Sequence, residues 1–196
     1  EAALAKSRFE PRLEVIDLIR WSQIARLPTQ MFADHKQFGQ PPVTVYSSPR
    51  MLIELLFWLD GTTAVHQHGF SGAFQVIVGS SLQAHFHFVT EVELNSRFRL
   101  GHLTVDQLEL LQTGDIRRIV SGPSFIHSVF HLDRPSVSLV VRTAQDENAH
   151  PQLSYDRPHI AFDPFFQDPL AERRLLALSV LQQTRPTTFL ALVAEL

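Results

Sequence analysis

The segment from Trp58 to Gly79 limits what this chain can become more than any other. Apolar residues Leu55, Leu56 and Phe57 lead into it, and Phe74, Val76, Ile77 and Val78 close it, in short runs punctuated by glycine. Such runs read as strand, turn, strand. His66 and His68 fall within the pattern. On an extended segment residues i and i+2 share a face, so these two imidazoles project side by side. Neutral imidazole is the commonest protein metal ligand, and a rigid strand that delivers two of them to one point supplies half of a metal site.

A His-x-His pair alone is weak evidence in a chain with ten histidines, and His85-Phe86-His87 is a second such pair. The later segment from Leu111 to His127 strengthens the first. It holds a Gly114-Asp115 turn, a short β-branched run, a Gly122-Pro123 turn, and then His127. Together the two stretches resemble the two sequence motifs of the cupin family. The resemblance implies an all-β fold, a small antiparallel jelly-roll barrel that gathers His66, His68 and His127 around one metal.

In cupin motif one a carboxylate often follows the second histidine by four residues and precedes a turn glycine by seven. Those positions are Gly72 and Gly79 here, so the carboxylate slot holds glycine. What remains is three neutral imidazoles, a site in which a divalent ion keeps its full charge and favours anionic ligands. This pattern resembles the thiol dioxygenases, the cysteine dioxygenase group. The likeness extends to Phe57-Trp58, to Phe125 through Val129 and to Arg134 through Leu139, between Leu52 and Arg142. It implies mononuclear Fe(2+) that binds a small anionic, thiolate-bearing substrate and O2, and adds both oxygens to sulfur. Three imidazoles also accept Ni, Zn and Cu, and affinity alone does not choose among them.

The chain departs from that family on the strand after His127. A Ser-x-His-x-Tyr arrangement is replaced by Ser138, Val140 and Arg142, so serine is kept while a hydroxyl gives way to a permanent charge. Arg142 and Arg50 are the candidates for the arginine that grips the substrate's acidic group, since guanidinium matches a carboxylate with two parallel hydrogen bonds. Arg50 lies closer in sequence to His66 than the family's arginine does, and a rim ion pair is the plainer role for either. The lost His and Tyr open an alternative, a non-catalytic cupin module that binds a metal or small ligand. A third reading gives the apolar terminal helices a structural role as the face of a homodimer.

Among the other histidines, His85 and His87 share one strand face and could make a second site or a polar wall to the cavity, although a solvent-facing position is the commoner one. His131 is a candidate second partner for a ligand imidazole, and His35, His102, His150 and His159 have no constellation around them. Glu54 and Gln75 are polar residues inside apolar strands, for which an outward-facing position is the expectation.

Composition removes several classes. The net charge is −3 over 196 residues, with Lys and Arg scattered, which gives no footprint for nucleic acid. Cysteine is absent, so disulfides, zinc–thiolate sites and a thiol nucleophile are excluded, and a reducing cytoplasm suits the chain. No apolar run approaches the roughly 20 residues that span a bilayer. The chain starts at Glu1 rather than Met and its last segment carries no stop signal, so trimming or continuation at either end is left open.

Three segments are expected along the chain. Residues 1–42 carry an amphipathic helix from Glu10 to about Leu27, its stripe formed by Leu13, Ile16, Ile24 and Leu27, ending before Pro28. Residues 43–143 form the barrel, with Val137–Val141 as an almost wholly apolar strand. Residues 144–196 form a proline-rich ordered loop packed by Phe162, Phe165 and Phe166, followed by helices packed on the barrel. The first of these begins near Pro169 and buries Leu175, Leu176 and Leu178, and the second follows Pro186.

Overall fold

A computed structural model of the chain describes residues 13–30, 39–144, 150–156, 160–166 and 168–195. The chain divides into two compact units, Glu1–Pro164 and Phe165–Leu196. In the first unit helix α1, Val15–Ile24, precedes the strands. These are β1 (Pro42–Ser47), β2 (Met51–Trp58), β3 (Val65–Gln67), β4 (Gly72–Val78), β5 (Ser81–Asn95) and β6 (Phe98–Leu111). They continue with β7 (Ile116–Ile119), β8 (Ile126–His131), β9 (Ser136–Thr143), β10 (Ser154–Asp156) and β11 (Ile160–Phe162).

Five strands make an open antiparallel sheet in the order β1-β2-β9-β4-β7, and six close into a barrel in the order β10-β11-β6-β5-β8-β3. This is the all-β jelly-roll class expected. The almost wholly apolar strand is β9, hydrogen-bonded on both sides by β2 and β4, as a strand buried on both faces should be.

Three apolar clusters fill the unit. On one face of the open sheet Leu55, Phe57, Ala73, Ile77, Val137 and Leu139 meet Leu18 of α1. On the other face Leu56, Phe74, Val76, Ile119 and Val140 meet Leu111 of β6, with Phe70 and Phe125 against them. Within the closed barrel Phe86, Ile126, Leu153, Tyr155 and Ala161 pack together. At about 1.5–3 kcal/mol for each fully buried large side chain, these clusters outweigh the partly exposed ion pairs of the molecule.

Strands β5 and β8 pass from one core to the next, and this explains a difference from the sequence reading. Polar and apolar residues alternate on β5 from Ser81 to Phe88, but the buried face changes along its length. At its start Gln83 is fully buried and Leu82 is 38% exposed, because the polar side faces the open sheet. Further along Phe86 is buried in the barrel's own core and His87 is exposed. Alternation gives two faces, and only the neighbouring layers decide which one is wet.

Three further expectations are corrected. Helix α1 lies inside the expected span, although Glu10 is outside the described residues, but its buried side chain is Leu18 while Ile24 is 84% exposed. Leu13, Val15 and Leu18 form a second apolar stripe, and the sheet takes that one. Residues 154–156 and 160–162, expected as loop, are the barrel strands β10 and β11. Phe165 and Phe166, expected to pack that loop, are 42% and 53% exposed.

The second unit holds α2 (Pro169–Thr184) and α3 (Pro186–Glu195), both beginning at proline, whose fixed φ suits the first helical turn. Leu176 is 63% exposed and Leu178 partly buried, while the side chain of Leu175 lies outside the described residues. Among the described residues no helix is long and apolar enough to cross a membrane.

Candidate metal centre

Strand β3 is only three residues long, and it places His66 opposite His127 of β8 in antiparallel register. Opposed residues project to the same face, so the two imidazoles meet. His68, two residues on, bridges to Ser121 ahead of β8, and the Gly122 N–H donates to the His68 carbonyl at 2.9 Å. Gly122 has φ +86°, a left-handed conformation that glycine adopts without strain, and it turns the chain back toward His127. The three rings stand 4.7, 4.7 and 5.0 Å apart between centroids. One nitrogen from each lies within 4.8 Å of the others, so His66, His68 and His127 do converge.

The donor set fits a metal ion. His68 Nε2 and His127 Nε2 are 2.9 Å apart, the separation of two nitrogens about 90° apart on an ion at about 2.0–2.1 Å. His66 Nδ1 is 2.8 Å from the Ala64 carbonyl, which makes Nδ1 the proton donor and puts the ring's lone pair on Nε2. Burial holds the His66 pKa below its ordinary value, against the Ala64 hydrogen bond that raises it. His68 and His127 are driven well below theirs, first by burial and then by neighbouring positive groups, Arg142 among them for His68. All three rings are therefore neutral at pH 7, as ligation requires. With Nε2 turned to the ion, His68 Nδ1 and His127 Nδ1 would carry the ring protons, and both are buried with no partner among the described residues.

The empty carboxylate slot has a steric cause. Gly72 lies between β7 and β9, and a Cβ there would stand 2.9 Å from Arg142 Cα and 3.1 Å from the Val141 carbonyl carbon, with the Val141 oxygen nearer still. No side chain fits. Arg142 itself sits beside the imidazoles: its Cζ is 4.8 Å from the Phe70 ring centroid, and Phe70 is 4.6 Å from the His68 ring. Glu54 Oε2 accepts from Arg142 Nε at 3.0 Å. Glu54 therefore does not face outward as expected; it shares with Leu56 the face of β2 turned to the site.

The other named residues lie further off. Ser138 accepts the Trp58 indole N–H at 3.3 Å, and Arg50 is exposed in the turn between β1 and β2. Gln75, on the face of β4 opposite Phe74, donates to the Gly114 carbonyl. His131 stacks on Trp58 at 4.6 Å, and its Nδ1 is 2.9 Å from Ser81 Oγ and 2.8 Å from Ser136 Oγ. These contacts do not include a ligand imidazole.

Sequence reasoning allowed His85 as part of a polar wall but missed its partners, Glu109 and Arg117. His85, register neighbour of His127, lies 3.0 Å from Glu109, and Glu109 accepts Arg117 Nε at 2.9 Å and Nη2 at 2.7 Å. Arg117, through this pair, and His85 both hold the Glu109 pKa below the usual carboxylate range, with Arg117 the larger cause. Phe125 separates the group from the site, its ring 5.4 Å from His85 and 4.6 Å from His127. The signal was present in the alternation of Gln107, Glu109 and Leu111 with Leu108 and Leu110, but it reads inside out. Leu108 and Leu110 are more than half exposed.

No protein-family model and no curated protein matches the chain. Solved structures that resemble it include a cupin superfamily protein from Desulfitobacterium hafniense DCB-2, 14% identical over 62% of this chain and 97% of that one, at a TM-score of 0.38. KdgF from Halomonas sp. is 14% identical over 62% and 98%, at 0.38. Hydroquinone 1,2-dioxygenase from Sphingomonas sp. TTNP3 is 11% identical over 64% and 87%, at 0.39. Likeness this slight carries no argument about ligand or reaction.

Proposed function

We propose that this chain is a cupin-type, metal-dependent dioxygenase resembling the thiol dioxygenases, acting on a small anionic substrate. The observation that carries this reading is the convergence of three buried, neutral imidazoles beside a glycine position that no carboxylate can occupy. His66, His68 and His127 would hold the ion, with Fe(2+) the first choice and Ni, Zn or Cu the others. When bound, ferrous iron supplies open coordination positions and the electrons that join O2 to an electron-rich substrate.

The protein's own part is to bind and orient. Arg142 uses Nε on Glu54, and its terminal nitrogens have no partner among the described residues, so they can fork an acidic group close to His68. Glu54 and Phe70 hold the guanidinium in place. Arg50, exposed at the same end of the sheet, is the outer steering charge. The Ser138 hydroxyl orients Trp58. The rings of Phe70 and Phe125 beside His68 exclude water, which strengthens every charge interaction near the ion.

A second reading has its own support. Val140 is buried among apolar residues where the resembled family carries histidine, and Arg142 replaces the tyrosine, so that family's tyrosine hydroxyl has no counterpart at these two positions. A non-catalytic, metal-binding module fits those facts. Elemental analysis of the purified protein, followed by oxygen-electrode assays with small thiols and carboxylates, separates the two. Iron with substrate-dependent O2 uptake supports the enzyme; a bound metal with no uptake leaves the binding module. No metal, even after reconstitution with ferrous iron, overturns both.

A further inference from the structure

His66 lies on a strand of only three residues and His68 directly follows it, so something other than the strand's own length must hold the pair in place. Strand β3 pairs with β8 on one side and with β10 on the other. Gln67 sits between the two histidines, and its side chain points away from them into the barrel's interior, where it is 2% exposed. Both ends of its amide are used. Nε2 donates to the Pro151 carbonyl at 2.7 Å, and Oε1 accepts the Tyr155 hydroxyl at 2.5 Å. The Gln67 backbone N–H donates to the Leu153 carbonyl at 2.9 Å. One residue thus makes three hydrogen bonds to the segment Pro151–Tyr155.

We infer that Tyr155, acting through Gln67, is a positioning residue for the metal site, and that Pro151–Tyr155 is a strap that sets where His66 and His68 stand. The inference rests on reading His66, His68 and His127 as metal ligands. Of the two tyrosines in the chain, Tyr46 is exposed on β1 and Tyr155 is 6% exposed. Burial raises its pKa, so the hydroxyl remains a donor. Its ring packs on Phe88 at 5.0 Å, within the barrel core. Metal–nitrogen distances tolerate only about 0.2 Å, so a strand freed to shift by more than that loses affinity at two ligands together. Removing the hydroxyl leaves a buried Gln67 oxygen without a donor, and a shift of the backbone at Gln67 that relieves it carries His66 and His68 along.

The test compares wild type with Tyr155→Phe and Phe88→Leu. Phe88→Leu loosens the same core and leaves the hydroxyl in place. Each protein is titrated with Co2+ and with Fe2+ against a chelator, the Co2+ absorption spectrum is recorded, and thermal unfolding of the metal-free form is measured. Tyr155→Phe is expected to bind metal about tenfold more weakly and to alter the Co2+ spectrum, the low end of what second-sphere partners contribute. Phe88→Leu is expected to keep wild-type affinity and spectrum despite a lower melting temperature. The inference is overturned if wild type binds metal and Tyr155→Phe matches it. It is also overturned if both variants lose affinity in proportion to their lost stability. Failure of wild type itself to bind metal would instead remove the ligand reading beneath it.

Discussion

Replacing Gly72 with alanine is expected to destabilise the protein by about 3 kcal/mol, although the change adds one methyl group and no charge. The added Cβ would stand 2.9 Å from Arg142 Cα, whereas carbons in contact prefer about 3.5–4.0 Å. The Val141 carbonyl oxygen stands nearer still, so relief requires β4 and β9 to part by about 1 Å within a five-stranded sheet. Overpacking of this kind costs about 1–3 kcal/mol, and each ladder hydrogen bond stretched beyond its range gives up about 1 kcal/mol more. For a chain of this size the sum corresponds to a fall in melting temperature of about 6–12 °C. Denaturant unfolding of the metal-free protein measures it. Gly114→Ala serves as the control: a Cβ there meets nothing within 4 Å, and only its left-handed φ of +98° is strained, a cost of about 1–2 kcal/mol. Gly72→Asp, which would place a carboxylate in the slot, carries the same Cβ and should destabilise at least as much without gaining metal affinity. A Gly72→Asp protein with wild-type stability and tighter metal binding would refute the steric account of the empty slot.

His127→Ala should abolish near-stoichiometric metal binding, because two imidazoles on one strand do not enclose an ion; metal content equal to wild type would exclude His127 as a ligand. Glu54→Gln leaves Arg142 without its carboxylate partner, so small carboxylates should bind the metal-loaded protein several-fold more tightly, as calorimetry would show; unchanged or weaker binding would place the anion site elsewhere. His131 has its pKa lowered from 6.5 to about 4 by burial, so the unfolded state takes the proton more readily. Stability should therefore fall as the pH drops from about 6.5 to about 4, by at most about 3 kcal/mol from this residue, and less where water reaches the ring. The buried His66, His68 and His127 titrate with the same sign, so urea unfolding of wild type against His131→Phe isolates the share of His131; equal pH slopes would remove it.

The local pattern of this chain was enough for its class and for the three histidines that converge. Short apolar runs divided by glycine can hardly be anything but antiparallel strands. Histidines two apart on a strand must share a face whatever that strand pairs with, and a helix before Pro28 and another at Pro169 follow from backbone chemistry alone. These features depend on neighbours in sequence. Which face is buried does not. Leu18 rather than Ile24, and Gln83 rather than Leu82, lie inside because of the layers packed against them, and both stripes satisfied the same periodicity. The polar wall of His85, Glu109 and Arg117 is assembled from three strands, and the strap that holds Gln67 belongs to a stretch whose prolines read as loop. Its strands exist because β3 and β6 each had an open edge for them to fill. Periodicity along a chain is set by one residue's geometry, whereas burial and pairing are set by what arrives from far along the sequence, and only the folded molecule brings those segments together.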